Sequence, residues 1–472
     1  MATLPSTSII LDQASLDRLQ ARVRGRVLGP ADAGYDEAHR TWNVTVQQHP
    51  AVIVLAESAT DVAQAVRFAA EMGLGVAIQS TGHGVVRPAD NSLLVITSRM
   101  QGVRIDAEAQ TAWVEAGVKW GAVLEKTQEV GLAPLLGSSP DVGVIGYTLA
   151  GGFGWLVRKY GLAIDSVLAF EVVTADGRVR RVSATENSDL FWALRGGGGS
   201  FAVVTGMEIE LYPVTTVFGG NIIYPAAHAK EVMTRYRDWI ATAPEELTSS
   251  IVLMNVPPLP NMPEFLRGQS VVMVRGLYSG PIEQAEEIFR VWQDGPEPLA
   301  NLMHPMPFSE VASVSNDPRD PMPSFHTGGW LNALDDATID TLIRFGLSVN
   351  GSSPLVLTEV RHVGGAMARA DRNSTAFGHR DDSLLLAMLA AAPSPEVYQL
   401  LHQYTEEFKR ELAPQLADHL YLNFAEGAEA RARTRDGYPP EAFERLVALK
   451  AQYDPDNLFQ YAFNFPTVDR AG

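Results

Sequence analysis

Residues 77–94 read AIQSTGHGVVRPADNSLL. The first residues continue a buried strand, and the chain then presents Ser80, Thr81, Gly82, His83 and Gly84 in succession. Hydroxyls ahead of a histidine set between glycines offer donors and close backbone approach, a pattern suited to wrapping a phosphate-bearing ligand. Upstream, AVIVLAES (51–58), TDVAQAVRFAAEMG (60–73) and LGVAIQS (74–80) alternate strand, helix and strand, with Ser58 or Thr60 as the helix N-cap and Gly73 as its C-cap. The histidine loop therefore leaves a compact α/β unit.

Two further glycine-dense segments follow, LGSSPDVGVIGYTLAGGFGW (136–155) and LRGGGGSFAVVTG (194–206). Each suits either ligand binding or a set of ordinary tight turns. Neither they nor the first segment contain G-x-G-x-x-G or a GK[ST] phosphate loop, so Rossmann and NTPase folds fail on spacing. Around them, GVRIDAEAQTAWVEAG (102–117) and FEVVTADGRVRRVSA (170–184) read as hairpins, the second turning at Asp176-Gly177.

The chain of 472 residues is 46% apolar and 19% charged, a globular composition with room for two or three cores. With 37 basic against 55 acidic residues the net charge is -18, which repels nucleic acid. No apolar run is long enough for a membrane span, and the first residues lack a basic start and apolar core. The expectation is a soluble cytoplasmic protein with neither nucleic-acid nor membrane partners; the oligomeric state is not readable. Cysteine is absent, which excludes disulfides, thiolate metal sites and thiol nucleophiles. No HExxH or other tight His/carboxylate cluster stands in the sequence, so no metal is expected, and no G-x-S-x-G elbow suggests a hydrolase.

From about Val217 to Leu416 β-rich runs (249–256, 270–278, 354–363) alternate with amphipathic helices (227–243, 282–293, 394–412), which reads as a second α+β domain. The proline-rich stretches 255–268 and 316–329 are expected as loops within it.

Four segments, 79–100, 143–177, 187–213 and 443–459, together resemble the berberine-bridge-enzyme-like flavin oxidases of the vanillyl-alcohol-oxidase (p-cresol-methylhydroxylase, PCMH) superfamily, in the family's order. The resemblance implies an α+β fold: a PCMH-type FAD-binding domain made of residues 1–215 and 420–472, with an inserted antiparallel-sheet-plus-helices substrate domain at 216–419. It implies that the loop from Gln79 through Ser80, Thr81, Gly82 and Gly84 binds the FAD pyrophosphate and that His83 bonds covalently to the 8α-methyl of the flavin. Gln79 and Thr81 depart from the family's usual arginine and glycine. Ser139 stands where many relatives place a second, cysteinyl flavin bond, so a single linkage is implied, with a leaning towards smaller or flatter substrates. Gly137, Ser138, Gly143, Gly146, Gly151, Gly152 and Gly154 complete the implied cofactor surface, with Ser98, Val204 and Asn464. Val142 falls at the position thought to gate oxygen, where a small side chain resembles oxygen-reactive members; it reads equally as a packed core valine.

HLYLNFAEG (419–427) resembles the family's Tyr-x-Asn motif and nominates Tyr421 and Asn423 as catalytic, with Phe424 where relatives often carry a second tyrosine. In LTEVRHVGGAMAR (357–369), alternation puts Glu359, Arg361 and Val363 on one face and Val360 and His362 on the other, so either Glu359 or His362 could face a pocket as a base, or serve in a salt bridge. His379 and Arg380 also resemble family positions. The aromatic stretch FHTGGW (325–330) reads as core. The expected activity is hydride transfer from an alcohol or amine carbon of a small organic substrate to FAD, with O2 reduced to H2O2. Oxidative cyclisation, oxygenation or dehydrogenation, and a non-catalytic flavin-binding module, are the alternatives.

Overall fold

Three sheets organise the computed structural model, which describes residues 9–260, 262–348 and 353–467. In the first, Val52–Leu55 and Val76–Gln79 both run parallel to Leu93–Ile96, which lies between them, and Arg26–Leu28 closes the edge antiparallel to Val52–Leu55. The crossover helix is Ala59–Met72: the Ser58 hydroxyl accepts from the Asp61 amide, Gly73 takes φ +65°, and Val62, Ala65, Val66 and Ala69 are buried. Those positions share one face of a 3.6-residue helix, as the sequence pattern predicts. Its first turn also carries the buried Asp61 carboxylate, which accepts from the Arg24, Gly25 and Glu57 amides.

The second sheet is antiparallel and orders Val103–Asp106, Thr111–Glu115, Val203–Glu210, Val167–Val173 and Val179–Ser183. Both expected hairpins are present, and Gly177 takes φ +68° at the predicted turn.

The third, eight-stranded antiparallel sheet draws its strands from Thr216 to Ala391. Period-two alternation sorts its side chains. Ile251, Leu253, Val272, Val274, Val360 and Leu386 pack under the helices Ala229–Ile240, Asp336–Gly346 and Pro395–Glu411. The opposite face presents Ser250, Arg275, Glu359, Arg361, Trp330 and Leu385. Trp330 and Leu385 meet Phe153 and Val157 from the glycine-rich stretch. One correction to the sequence reading lies here: residues 316–329 are not wholly a loop, because Ser324–Leu331 forms a strand at the sheet's edge. Edge strands tolerate the glycines that disguised it.

The end of the described chain returns to the first sheet. The Val76 amide donates to the Leu458 carbonyl (2.8 Å). On the helix Pro440–Tyr453, Lys450 is 1% exposed and donates to the Ser200 carbonyl and to Asp454 (2.6 Å), whose carboxylate also accepts from the Leu458 and Phe459 amides. Among the described residues no helix is long and apolar enough to cross a membrane. Asp454→Asn would strand a buried cation and should destabilise the fold by about 3–5 kcal/mol; urea denaturation measures it, and a loss below about 1 kcal/mol would contradict the assignment.

Candidate active site

The strand Val76–Gln79 delivers the histidine loop against the segment after Leu136. The two face each other closely: a Cβ added at Gly143 would lie 3.2 Å from the Ser80 hydroxyl and 3.6 Å from the Thr81 methyl. Gly82 takes φ +71° and abuts the Thr41 backbone, where a Cβ would come within 2.8 Å. That approach lays the Trp42 indole flat on the His83 ring, centroids 4.4 Å apart and planes 19° apart. Ser80 Oγ and His83 Nε2 are both buried and find no partner among the described residues. Burial, partly offset by Asp141, holds His83 down at about 4, so the ring is neutral at pH 7.

Gly84 and Gly146 are exposed, and a Cβ at either would meet nothing within 4 Å. The remaining glycines have another reason. At Gly137, Gly152 and Gly154 a Cβ would come within 2.8 Å of Tyr147, 2.7 Å of Ala163 and 1.9 Å of the Leu136 carbonyl; at Gly151 it would press on Phe377 and Tyr421 at 3.1 Å. Their bareness answers packing against protein rather than approach to a phosphate.

Three other nominations are also revised by their surroundings. Gln79 is committed to protein: its side-chain amide accepts from Gln48 (2.8 Å) and donates to the Arg40 carbonyl (2.7 Å), and its backbone carbonyl accepts from the Thr97 amide (2.9 Å). Val204, 4% exposed, sits opposite Val172 within the second sheet's core. Ser98 is exposed, its carbonyl taken by Gln101. Ser139 is buried, with its hydroxyl 3.4 Å from the Asp141 amide; Val142 packs partly buried against the core; Asn464 is exposed between buried Phe463 and Phe465.

Tyr421 and Asn423 sit where the helix Val144–Leu149, residues 421–424 and the third sheet converge. Tyr421, 2% exposed, lies among Phe153, Trp330, Phe377 and Phe424. Its phenolic oxygen accepts from the Gly152 amide (3.0 Å) and from Asn423 Nδ2 (3.1 Å), and Asn423 also donates to the Tyr147 carbonyl (2.9 Å). Burial pushes the Tyr421 phenol up to about 12, although Asn423, Gly152 and Arg361 all favour its anion. The Tyr147 hydroxyl is buried without a partner among the described residues, and burial raises it too. A narrow cavity of about 20 Å³ is bounded by Ser138, Val157 and residues 153–155, 248–250 and 361–363, with Phe153 shared between its wall and the Tyr421 group. A larger open groove, lined by Arg235, Trp239 and Pro244, contains none of these residues.

Glu359 and His362 do not fit the role of base. Glu359 is 2% exposed and accepts from Ser250 (2.7 Å) and from Arg361 (2.8 Å), with Arg275 at 3.5 Å. Burial alone would raise its carboxyl, but the two guanidiniums outweigh it and hold it below the usual range. His362 Nε2 lies 2.9 Å from an Arg158 guanidinium N–H, and burial beside that cation depresses the ring to about 3. A proton arriving there would meet a fixed positive charge. Sequence reasoning missed Trp42, Tyr147, Arg361 and His326, whose Nε2 is buried without a partner among the described residues. Tyr147, inside a glycine-rich motif, and Arg361, on the Glu359 face of its strand, carried a readable cue. The fold also assembles a His379–Asp382–His419 group that no sequence spacing announces.

His326 and His362 sit at about 4 and about 3, below the unfolded value of 6.5. Unfolding takes up their protons, so stability is lost as pH falls from 6.5. Burial raises Glu426 from 4.5 to about 8, which has the opposite sign and removes stability as pH rises from 4.5 to 8. Two imidazoles outweigh one carboxyl below pH 6.5, so these groups place a stability maximum near pH 6.5. Glu426→Gln should flatten the decline from pH 6.5 to 8 in urea melts; an unchanged decline would contradict that sign.

The family model described as "FAD binding domain" matches residues 50–183, and that described as "Berberine and berberine like" matches residues 420–466. The chain is 28% identical to (R)-6-hydroxynicotine oxidase of Paenarthrobacter nicotinovorans over 94% of this chain and 96% of that one. It is 27% identical to an uncharacterized FAD-linked oxidoreductase of Bacillus subtilis, over 96% and 99%. Its structure resembles 6-hydroxy-D-nicotine oxidase of Arthrobacter nicotinovorans (TM-score 0.82, 25% identity, 94% and 98% covered). It shares its fold with xylooligosaccharide oxidase of Myceliophthora thermophila (TM-score 0.83, 21% identity, 96% and 100% covered). The matched FAD-binding region holds the His83 loop and the matched berberine-like region holds Tyr421 and Asn423, so this α+β chain carries both domains and resembles the berberine-bridge-enzyme-like FAD-linked oxidoreductases, with a PCMH-type FAD-binding fold.

Proposed function

We propose that this FAD-linked oxidoreductase is an oxidase that removes hydride from an alcohol or amine carbon of a small organic substrate, with FAD tethered to His83 and O2 reduced to H2O2. The observation that carries the reading is His83: a neutral imidazole, fixed flat by Trp42, with a buried nitrogen unpartnered among the described residues, beside the equally unpartnered Ser80 hydroxyl. Both atoms, with the open faces of Gly84 and Gly146, fit a group seated between the two segments. Ser139, in a chain without cysteine, leaves His83 as the single attachment. The relatives whose names state a substrate act on hydroxynicotine or on sugars, which supports small polar substrates without choosing between them. In this reading residues 1–215 and 420–472 hold the cofactor and 216–419 the substrate, as the flanking positions of the two family matches support. Its partners are that substrate and O2, and the net charge of -18 argues against nucleic acid.

FAD held by the His83 loop would supply the two-electron acceptor for the hydride and the reductant for O2. The chain's own part is to orient the substrate and to move its proton. Tyr421, fed by Gly152 and Asn423 and close to Arg361, is placed to take the substrate's hydroxyl or amine proton at its phenolic oxygen. The phenol is neutral at pH 7 and only its phenolate can take that proton, so the competent fraction grows as the pH rises towards 12. Glu359 holds Arg361 in position and stays ionised.

Acid precipitation of the purified protein should carry the yellow colour into the pellet, and His83→Ala should release it to the supernatant; a colourless wild-type pellet would sink the tether. Substrate-dependent O2 uptake with equal H2O2 release separates oxidase from dehydrogenase. Tyr421→Phe should lower kcat about 10²–10⁴-fold and abolish the alkaline rise in rate. A variant that keeps that rise would assign the base elsewhere.

A further inference from the structure

We propose that His379, Asp382 and His419 form a binding site for a first-row divalent transition metal, zinc foremost. One ligand atom from each residue lies within 4.8 Å of the other two. The donor set of two imidazoles and a carboxylate suits zinc and its neighbours and excludes the all-oxygen preference of calcium or magnesium. The independent observation is His379 Nε2, a buried nitrogen with no hydrogen-bond partner among the described residues, on the same ring that lies against the backbone of Asp436. An unpartnered lone pair on one ring nitrogen, with a backbone group beside the ring, is the arrangement of a metal-ligating histidine. Burial, reinforced by His419, keeps His379 at about 4 and thus unprotonated at neutral pH.

His419 Nε2 already lies 2.8 Å from Asp382 Oδ2, and the two imidazoles are stacked at 3.9 Å with planes 9° apart. Tetrahedral zinc needs donor atoms about 3.3 Å apart, which follows from bonds of about 2.0–2.1 Å. An ion lies in the plane of each imidazole that holds it, so binding requires one ring to turn out of the stack, His419 to carry its proton on the nitrogen away from the ion, and Asp382 to change from hydrogen-bond acceptor to ligand, with water as the fourth ligand. The backbone beneath is rigid: Arg380, fully buried, is held in a forked pair by Asp165 (2.7 and 3.0 Å). A metal here would clamp the 379–382 loop to the segment two residues before Tyr421. It lies outside the contacts assigned to the cofactor and substrate, and so stands apart from the proposed oxidase reaction.

The test uses the untagged full-length flavoprotein, freed of metal by EDTA and titrated with zinc sulfate in equilibrium dialysis. The expected result is one zinc per chain and a rise in Tm on adding zinc. His379→Gln, His419→Gln and Asp382→Asn should each weaken binding at least about tenfold and remove the Tm shift. His49→Gln, at an exposed histidine, should do neither. Absence of saturable binding, or equal affinity in the wild type and all three variants, overturns the site. Asp382→Asn preserves side-chain size and decides the matter wherever a histidine variant fails to fold.

Discussion

The hydrogen bond from the Gly152 amide to the Tyr421 oxygen forms only because the chain around it has been stripped of side chains. A single methyl at Gly151, Gly152 or Gly154 would strike Tyr421, Ala163 or the Leu136 carbonyl at 3.1 Å or less. With that approach secured, Asn423 spans Tyr421 and the Tyr147 backbone, and the third sheet can seat Trp330 and Leu385 on the same stretch. The tyrosine cluster, the narrow cavity and the contact between the glycine-rich region and the sheet therefore share one steric condition.

Charge is arranged on the sheet with comparable strictness. A carboxylate as deeply buried as Glu359 is tolerable only when its lone pairs are met, and Ser250, Arg275 and Arg361 meet them. The surplus positive charge faces Tyr147 and Tyr421. The same ion group that rules out Glu359 as a base thus helps the phenol of Tyr421 lose its proton.

Local signals in the sequence were readable where the governing physics is local. Ser58, Gly73 and the Asp176-Gly177 turn each set backbone geometry within a few residues, and all appear as expected. The His83 loop and the Tyr-x-Asn segment were legible through resemblance of whole motifs. What escaped depends on pairs distant in the chain. Nothing near Trp42 announces that it will lie on His83, and His379 and Asp382 meet His419 only once the fold is complete. The alternation rule placed Glu359 and His362 on opposite faces correctly, yet it is blind to the arginines that neutralise their candidacy. Ser324–Leu331 was hidden because glycine and proline punctuate an edge strand as readily as a loop.

The bond from the Val76 amide to the Leu458 carbonyl has a bearing on biosynthesis. The strand that ends in the histidine loop leaves the ribosome well before its edge partner Leu458 and the Lys450–Asp454 clasp are made. Until then a nascent chain carries the Val76 edge of the first sheet without this cover, open to wrong pairing. A ribosome that stalls before Leu458 yields a product with that strand edge unclosed.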